Sequence, residues 1–275
     1  MDLRPAADPA SPAGPWCRLR LDLAYDGGPF RGFADNEGVR SVAGDLSAAL
    51  RRTLGDARGL TGAGRTDAGV HAREQVVTVE VPSARLDPDR LVGSLNRQLA
   101  PTIAVRAVAV VDETFDARFS ARSRTYRYRI LNAPTPDPLL APTVWHVREP
   151  LSVPAMRQAA IPLLGEHDFS AFCRRPAPQP DGTAASLVRR VLAARWLPPT
   201  GDLLEFEIEA TAFCHQMVRS IVGTLVDVGR GRRRAGELLE VLASRDRSRA
   251  GSPAPPHGLV LWAVRYAEAP TRAGA

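Results

Sequence analysis

The sequence predicts an α+β fold made of two similar halves. Each half is a mainly antiparallel sheet with helices on one side, and a catalytic cleft lies between them. Three observations carry this reading. Strand-like stretches alternate polar and apolar residues, helix-like stretches carry capped apolar stripes, and the order of elements loosely repeats along the 275 residues. A strand with one apolar and one polar face suits an antiparallel sheet that is covered on one side only.

Leu19, Leu21, Leu23 and Tyr25 alternate with Arg18, Arg20, Asp22 and Ala24, the period of a half-buried strand. Asp26-Gly27-Gly28-Pro29 breaks that pattern as a turn. Ser41 caps a helix whose Val42, Leu46, Leu50 and Leu54 share one stripe. Residues 75–81 read as a second strand. Asp87-Pro88 opens a helix bearing Leu91, Leu95 and Leu99, Pro101 ends it, and residues 103–111 form a third strand.

The second half follows the same plan. Residues 124–131 form a strand with Tyr126, Tyr128 and Ile130 on one face. Ser152-Val153-Pro154 starts a helix that runs to Gly165. Leu204, Phe206, Ile208 and Ala210 alternate with Glu205, Glu207, Glu209 and Thr211. Phe213, Met217, Ile221, Leu225 and Val228 then share a helical face. Residues 235–243 give a short helix, and residues 259–267 a closing strand. The two sheets are expected to meet near the middle of the chain. The domain reading has a disordered tail at 1–16, an N-terminal half at 17–115, a C-terminal half at 116–267 and a frayed end at 268–275.

The length allows a large core, and the apolar content of 44% is ordinary for a globular protein. The net charge is +6, and all 36 basic residues are arginine. Arginine suits bidentate phosphate contacts and stacking on bases, although a codon bias toward arginine and alanine accounts equally for the missing lysine. With 30 acidic residues alongside, the balance favours a polyanionic partner only modestly. Arg174 and Arg175 lead a Pro-rich stretch at 174–186 and are candidates for phosphate contact. The run at 229–234 reads either as a solvated helix linker or as a phosphate-binding edge.

Cys17, Cys173 and Cys214 are odd in number and far apart, so neither a disulfide framework nor a CxxC knuckle is expected from them. That pattern fits a reducing compartment. The first residues lack the apolar core of a signal peptide, and no apolar run is long enough to span a bilayer. The expectation is a cytoplasmic protein with no membrane contact.

The most informative stretch is Gly62-Ala63-Gly64-Arg65-Thr66-Asp67-Ala68-Gly69-Val70-His71-Ala72. Its glycines allow turns closed to other residues and let a ligand approach the main chain. A carboxylate presented there can attack an electrophilic carbon, position a proton or cap a turn. A dinucleotide loop is excluded because Asp67 fills the sixth position of GxGxxG and a strand follows, not a helix. A phosphate loop needs a lysine, and a nucleophile elbow needs GxSxG around the site. His71, His146, His167, His215 and His257 show no HExxH and no close set of cysteine partners, so no metal is expected. His71 and His215 can still be imagined meeting Asp67 across the cleft in a metal-dependent hydrolase.

The stretch closely resembles the active-site motif of the tRNA pseudouridine synthase A family, whose aspartate is the nucleophile. Further blocks follow in family order: Tyr25-Asp26-Gly27-Gly28, Phe115-Asp116-Ala117-Arg118-Phe119-Ser120-Ala121, Thr125-Tyr126-Arg127-Tyr128, residues 164–172, residues 212–223 and His257-Gly258-Leu259-Val260-Leu261. The resemblance covers roughly Arg18 to Tyr266. Two departures stand out: Gly32-Phe33-Ala34 where relatives carry Gly-Trp-Gln, and Ala43 where they carry glutamine.

The resemblance implies a pseudouridine synthase fold that isomerises uridine in the anticodon stem-loop of tRNA, at positions 38 to 40. It implies Asp67 as nucleophile, with Arg219 paired to it. Tyr126 would stack on the target uracil, with Arg65 and Arg118 positioning phosphate or base and Leu259 lining the pocket. No cofactor or metal is implied; the partners are the anticodon arm of tRNA and a second copy of the chain. Read alone, a strand tyrosine such as Tyr126 is more often a core residue, core packing suits Leu259 or Leu261 as well as a pocket wall does, and Arg219 lies off the apolar stripe. The alternatives are a non-catalytic RNA-binding protein on the same scaffold and the metal-dependent hydrolase.

Overall fold

The computed structural model describes residues 15–84, 86–175 and 185–267. The expected tail (except Pro15 and Trp16), the frayed end and most of the 174–186 stretch therefore lie outside the described residues. The first half runs β1 (Trp16–Tyr25), α1 (Val42–Leu54), β2 (Arg58–Gly62), β3 (His71–Pro82), α2 (Pro88–Leu99) and β4 (Ile103–Val111). The chain continues through β5 (Ala121–Leu131), β6 (Trp145–His146), α3 (Val153–Ala160), β7 (Gly165–Asp168) and β8 (Val188–Trp196). It closes with β9 (Leu203–Ala210), α4 (Met217–Gly229), α5 (Glu237–Ser244) and β10 (Leu259–Tyr266).

The caps form where side-chain chemistry demands them. Ser41, Asp87 and Ser152 each accept a hydrogen bond from a backbone N–H in the first turn of α1, α2 and α3. Helix α3 stops at Ala160, short of Gly165, and continues as a 3-10 turn over Ile161–Leu163. Pro162 has no N–H to carry the α-helical pattern onward. Helix α4 begins only at Met217 because Gln216 is left-handed (φ 65°), so Phe213 sits ahead of the helix and not on its stripe.

The strands form one ten-stranded sheet along the path β4-β1-β3-β10-β5-β9-β8-β7, with β2 added to β3 and β6 to β5. Most pairings are antiparallel. The two halves meet through the last strand: β10 pairs with β5 on one side and, in parallel, with the start of β3 on the other. The seam therefore uses the chain's end as well as its middle. Strands β2, β6, β7 and β8 do not show in the alternation. Strand β8 carries a register shift between Val191 and Ala193, which breaks the period of two, and β7 (Gly-Glu-His-Asp) has no apolar residue.

One apolar cluster joins Leu19, Leu21 and Leu23 of β1 to Leu46 and Leu50 of α1. It continues through Tyr128 and Phe206 to Ile221 and Leu225 of α4. The opposite face carries a cross-strand ladder: Arg127 pairs with Glu207 at 2.8 Å and Arg129 with Glu205 at 3.4 Å, each directly opposite in register. The run at 229–234 is also paired, Arg230 with Glu149 at 3.1 Å and Arg234 with Glu237 at 3.1 Å.

The cysteine expectation is corrected here. Cys173 and Cys214, 41 residues apart, form a disulfide, with Cα atoms 5.8 Å apart. Two non-consecutive segments lie side by side at that point, and the Arg174 N–H donates to the His215 carbonyl at 2.9 Å. Sequence spacing carries no trace of such a contact. Cys17 is free.

Gly223 of α4 faces the 250–254 segment so closely that a Cβ there would sit 1.9 Å from the Ser252 carbonyl oxygen. The segment is tied to the helix by Gly251 N–H to Thr224 Oγ1 and Ala254 N–H to the Arg219 carbonyl, both at 2.9 Å. Neither backbone can yield cheaply, and overpacking of this kind costs about 1–3 kcal/mol. Gly223→Ala is expected to lower the melting temperature by several degrees. An unchanged calorimetric melt would refute the packing account.

Tyr25 is buried, which pushes its phenol up to about 12 despite hydrogen bonds with Thr66 and Gln75. The unfolded chain ionises near the ordinary value of about 10. The folded state therefore holds a proton that the unfolded state releases, so stability is intact below about pH 10 and falls between there and about 12. Urea unfolding at pH 9 and pH 11, with tyrosinate absorbance at each, tests this. Equal stability at both would be contrary to it.

Candidate active site

The loop of residues 63–70 leaves β2 and enters β3 where the edge of β3 changes partner. Strand β2 covers Val77 to Glu80, and β10 covers His71 and Ala72. Gln75 lies between these stretches, fully buried. Its amide donates to the Gly64 carbonyl at 2.7 Å and to Tyr25 Oη at 3.3 Å, while its carbonyl accepts from Gly64 N–H at 3.4 Å. Tyr25 Oη lies 2.8 Å from Thr66 Oγ1. The Thr66 carbonyl accepts from Phe33 N–H at 3.1 Å. Gly69 takes φ 78°, a conformation open to glycine at little cost, and the Val70 N–H closes the turn onto the Asp67 carbonyl at 3.1 Å. The loop is thus held on both flanks of Asp67.

Asp67 meets two cationic or polar partners from the other half. Arg219 Nη1 is 3.2 Å from Oδ2, and His215 Nε2 is 3.1 Å from Oδ1. Arg219 is itself fixed, its Nε donating to the Ala254 carbonyl at 2.7 Å. The carboxylate side chain is 20% exposed, accessible from the cleft but shielded from bulk water. His71 takes no part. It is buried and held by Gly27 N–H and Asp26 Oδ1, each at 3.1 Å, and by the Pro142 carbonyl at 3.2 Å. Among the described residues, no three or more His, Cys, Asp or Glu side chains gather as a metal site needs.

The cleft around Asp67 encloses about 960 Å³. Arg65, Arg118, Tyr126, Arg219 and Leu259 all line it. Arg65 and Arg118 are exposed, whereas Leu259 is buried in β10 opposite Tyr128. Tyr126 is 7% exposed and packs edge-on against Phe213, ring centroids 5.0 Å apart. Its hydroxyl overhangs Gly64 and finds no hydrogen-bond partner among the described residues. Burial raises the Tyr126 phenol above its ordinary range, reinforced by Tyr25 and Asp67, so it stays neutral. The arrangement offers a carboxylate, a flat aromatic face and an unengaged hydroxyl within one basic cavity. Of the 229–234 arginines, none lines it.

Sequence reasoning missed several residues that build this cleft. Arg124 is buried and clips three segments together, donating to the carbonyls of Ala63 at 3.0 Å, Thr211 at 2.8 Å and Arg118. On its strand it reads as one more polar residue; only its three distant acceptors reveal its use. Gln75 and Phe119 were equally silent. His215 was considered as a metal partner, and its actual contact is the carboxylate. A second cavity adjoins the cleft, sharing Arg174 and Gln216 and adding Arg175, Arg245 and Arg247. Arg245 and Arg247 had no signature beyond charge.

The chain is similar to known proteins over most of its length. A family model described as tRNA pseudouridine synthase matches residues 159–267. The tRNA pseudouridine synthase A of Myxococcus xanthus is 45% identical over 92% of this chain and 93% of its own. That of Brevibacillus brevis is 43% identical over 90% of this chain and 99% of its own. That of Frankia casuarinae is 45% identical over 90% and 89%. Among solved structures, a crystal structure of a Cbf5-Nop10-Gar1 complex matches 77% of this chain and 45% of its own, with a TM-score of 0.35 and 13% identity. At 45% identity over nearly the whole length of both proteins, the chain belongs to the tRNA pseudouridine synthase A family, a family of isomerases.

Proposed function

We propose that this protein converts uridine to pseudouridine in the anticodon stem-loop of tRNA, at positions 38 to 40, with Asp67 as the nucleophile and no cofactor. The observation that carries the reading is the Asp67 carboxylate, held by Arg219 at 3.2 Å inside a cleft lined by arginines. The reaction breaks the N1–C1′ bond, turns the base and joins C5 to C1′. The proton lost from C5 is balanced by one gained at N1, so there is no net oxidation or hydrolysis and no redox cofactor is needed. Covalent addition at C1′ and the glycal route both begin from an ionised carboxylate. Arg219 compensates that charge through Oδ2, while His215 meets Oδ1.

Tyr126 stacks on the detached uracil while it turns, and its unengaged hydroxyl is available to the base. Leu259 forms the apolar floor. The target nucleotide leaves its stack to reach this depth, and Arg65 and Arg118 hold the phosphates or bases beside it. Residues 17–115 supply the Asp67 loop, and residues 116–267 supply Tyr126 and Arg219. This division into halves is part of the proposal. A homodimer with one tRNA lying across it, in the cytoplasm, rests on the family resemblance alone. Sedimentation with and without tRNA tests the dimer.

The direct test is to incubate the purified protein with unmodified tRNA and map pseudouridine by carbodiimide treatment and primer extension. Pseudouridine at positions 38 to 40 is expected; none anywhere in the tRNA would end the proposal. Asp67→Asn should abolish modification while tRNA still binds, since affinity is spread over many phosphate contacts. Wild-type-like turnover by that variant, purified free of host enzyme, would remove Asp67 from the mechanism.

For Tyr126, the phenylalanine variant should melt like the wild type, because the hydroxyl has no hydrogen-bond partner among the described residues. The leucine variant loses a stacking contribution of about 1–3 kcal/mol and should turn over at least about tenfold more slowly at a temperature where it remains folded. A folded leucine variant with full activity would make Tyr126 a core residue only.

A further inference from the structure

Phe119 is 80% exposed, and among the described residues no other Phe, Tyr or Trp side chain is exposed. A loose loop does not account for it, because the turn that carries the ring is rigid. Asp116 Oδ1 accepts from the N–H groups of both Arg118 and Phe119 at 2.8 Å. The Asp116 N–H donates to Ser120 Oγ at 3.0 Å, and the Ser120 N–H returns to the Asp116 carbonyl at 2.9 Å. Ala117 is fully buried, and its carbonyl accepts from the Tyr266 hydroxyl at 2.7 Å. Arg124 holds the Arg118 carbonyl from the other side. Every turn of chain around the ring is fixed while the ring itself is left in solvent.

The ring lies on the wall of the cleft that contains Asp67. The Arg118 guanidinium lies 5.3 Å from its centroid. The same cavity presents Arg31, Arg65, Arg174 and Arg189, and Asp67 is the only carboxylate among its described lining residues. An apolar protein partner has no use for such a charge balance, whereas a nucleic acid strand supplies both phosphates for the arginines and planar bases for the ring.

We infer that Phe119 is a stacking platform for a nucleobase adjoining the target uridine. The inference rests on the RNA-modifying reading of the site. When the target leaves the stack, its neighbour loses one stacked face. A rigid, pre-exposed phenyl replaces that face at little cost in ordering, and the Arg118 guanidinium extends the plane.

The test uses an anticodon-arm RNA hairpin carrying 2-aminopurine next to the target uridine, with Phe119→Ala, Phe119→Leu and Phe119→Trp variants of the full chain. All three should melt like the wild type, because the side chain packs against little. Wild type and Phe119→Trp should quench the 2-aminopurine, while the alanine and leucine variants should lose the quench and bind about tenfold more weakly. The slope of log Kd against log salt should stay the same, since no phosphate contact is removed.

Tight binding with full quenching by Phe119→Ala would overturn the inference, as would full rescue by leucine, which supplies apolar bulk without a plane. Loss of self-association on substitution, with RNA affinity unchanged, would instead make the ring a contact between copies and would also overturn it. Wild type that forms pseudouridine while the alanine variant binds normally sinks the stacking role alone. Wild type that neither binds the hairpin nor forms pseudouridine takes the underlying reading down with it.

Discussion

The structure depends on how one edge of β3 is divided. Strand β1 covers the whole of its other edge, from Ala72 to Pro82. On the free edge, β2 pairs at the far end and β10 at the near end, and the chain between β2 and β3 emerges in the interval. Backbone groups in such an interval need partners, because an unpaired buried amide costs as much as a lost hydrogen bond. The Gln75 side chain meets part of that need from within β3, bonding both backbone groups of Gly64. The loop that carries Asp67 is therefore built into the sheet seam, not hung from it.

The second constraint follows from the first. A partly buried carboxylate requires compensation, and among the described residues its own half provides none at hydrogen-bond distance from Oδ1 or Oδ2. Both partners, His215 and Arg219, come from the segment that opens α4. The seam must then hold two halves in register to within the length of a hydrogen bond. Strand β10 does this by pairing with β3 and β5 at once, and Arg124 reinforces it by bonding Ala63 on one side and Thr211 on the other. Burial lowers the Arg124 pKa, but the guanidinium keeps its charge and its several carbonyl acceptors compensate it.

Much of the fold was legible because it is written locally. Capping side chains at Ser41, Asp87 and Ser152 and alternation at Leu204 to Ala210 act over a few residues, so the signal and the structure share one length scale. The Gly62 to Ala72 string was legible for another reason: resemblance transmits the outcome of three-dimensional constraints that no periodicity encodes. What stayed hidden depends on distant pairing. Strand β8 has a shifted register, Cys173 meets Cys214 across 41 residues, and Gln75 or Arg124 is set apart only by its acceptors. Long-range contacts leave no local pattern to read.

The same logic applies at Phe33 and Ala43. Phe33 is buried, and a Cβ on Gly62 would come within 2.5 Å of its ring. The absence of a side chain on Gly62 leaves the space that the Phe33 ring fills. The Phe33 N–H reaches the Thr66 carbonyl, and the Phe33 carbonyl receives the N–H of Ala43 at the start of α1. The bonds that carry the loop's support into α1 are backbone bonds, indifferent to side-chain identity. What α1 transmits to Asp67 therefore passes through the main chain and not through the side chains of Phe33 and Ala43.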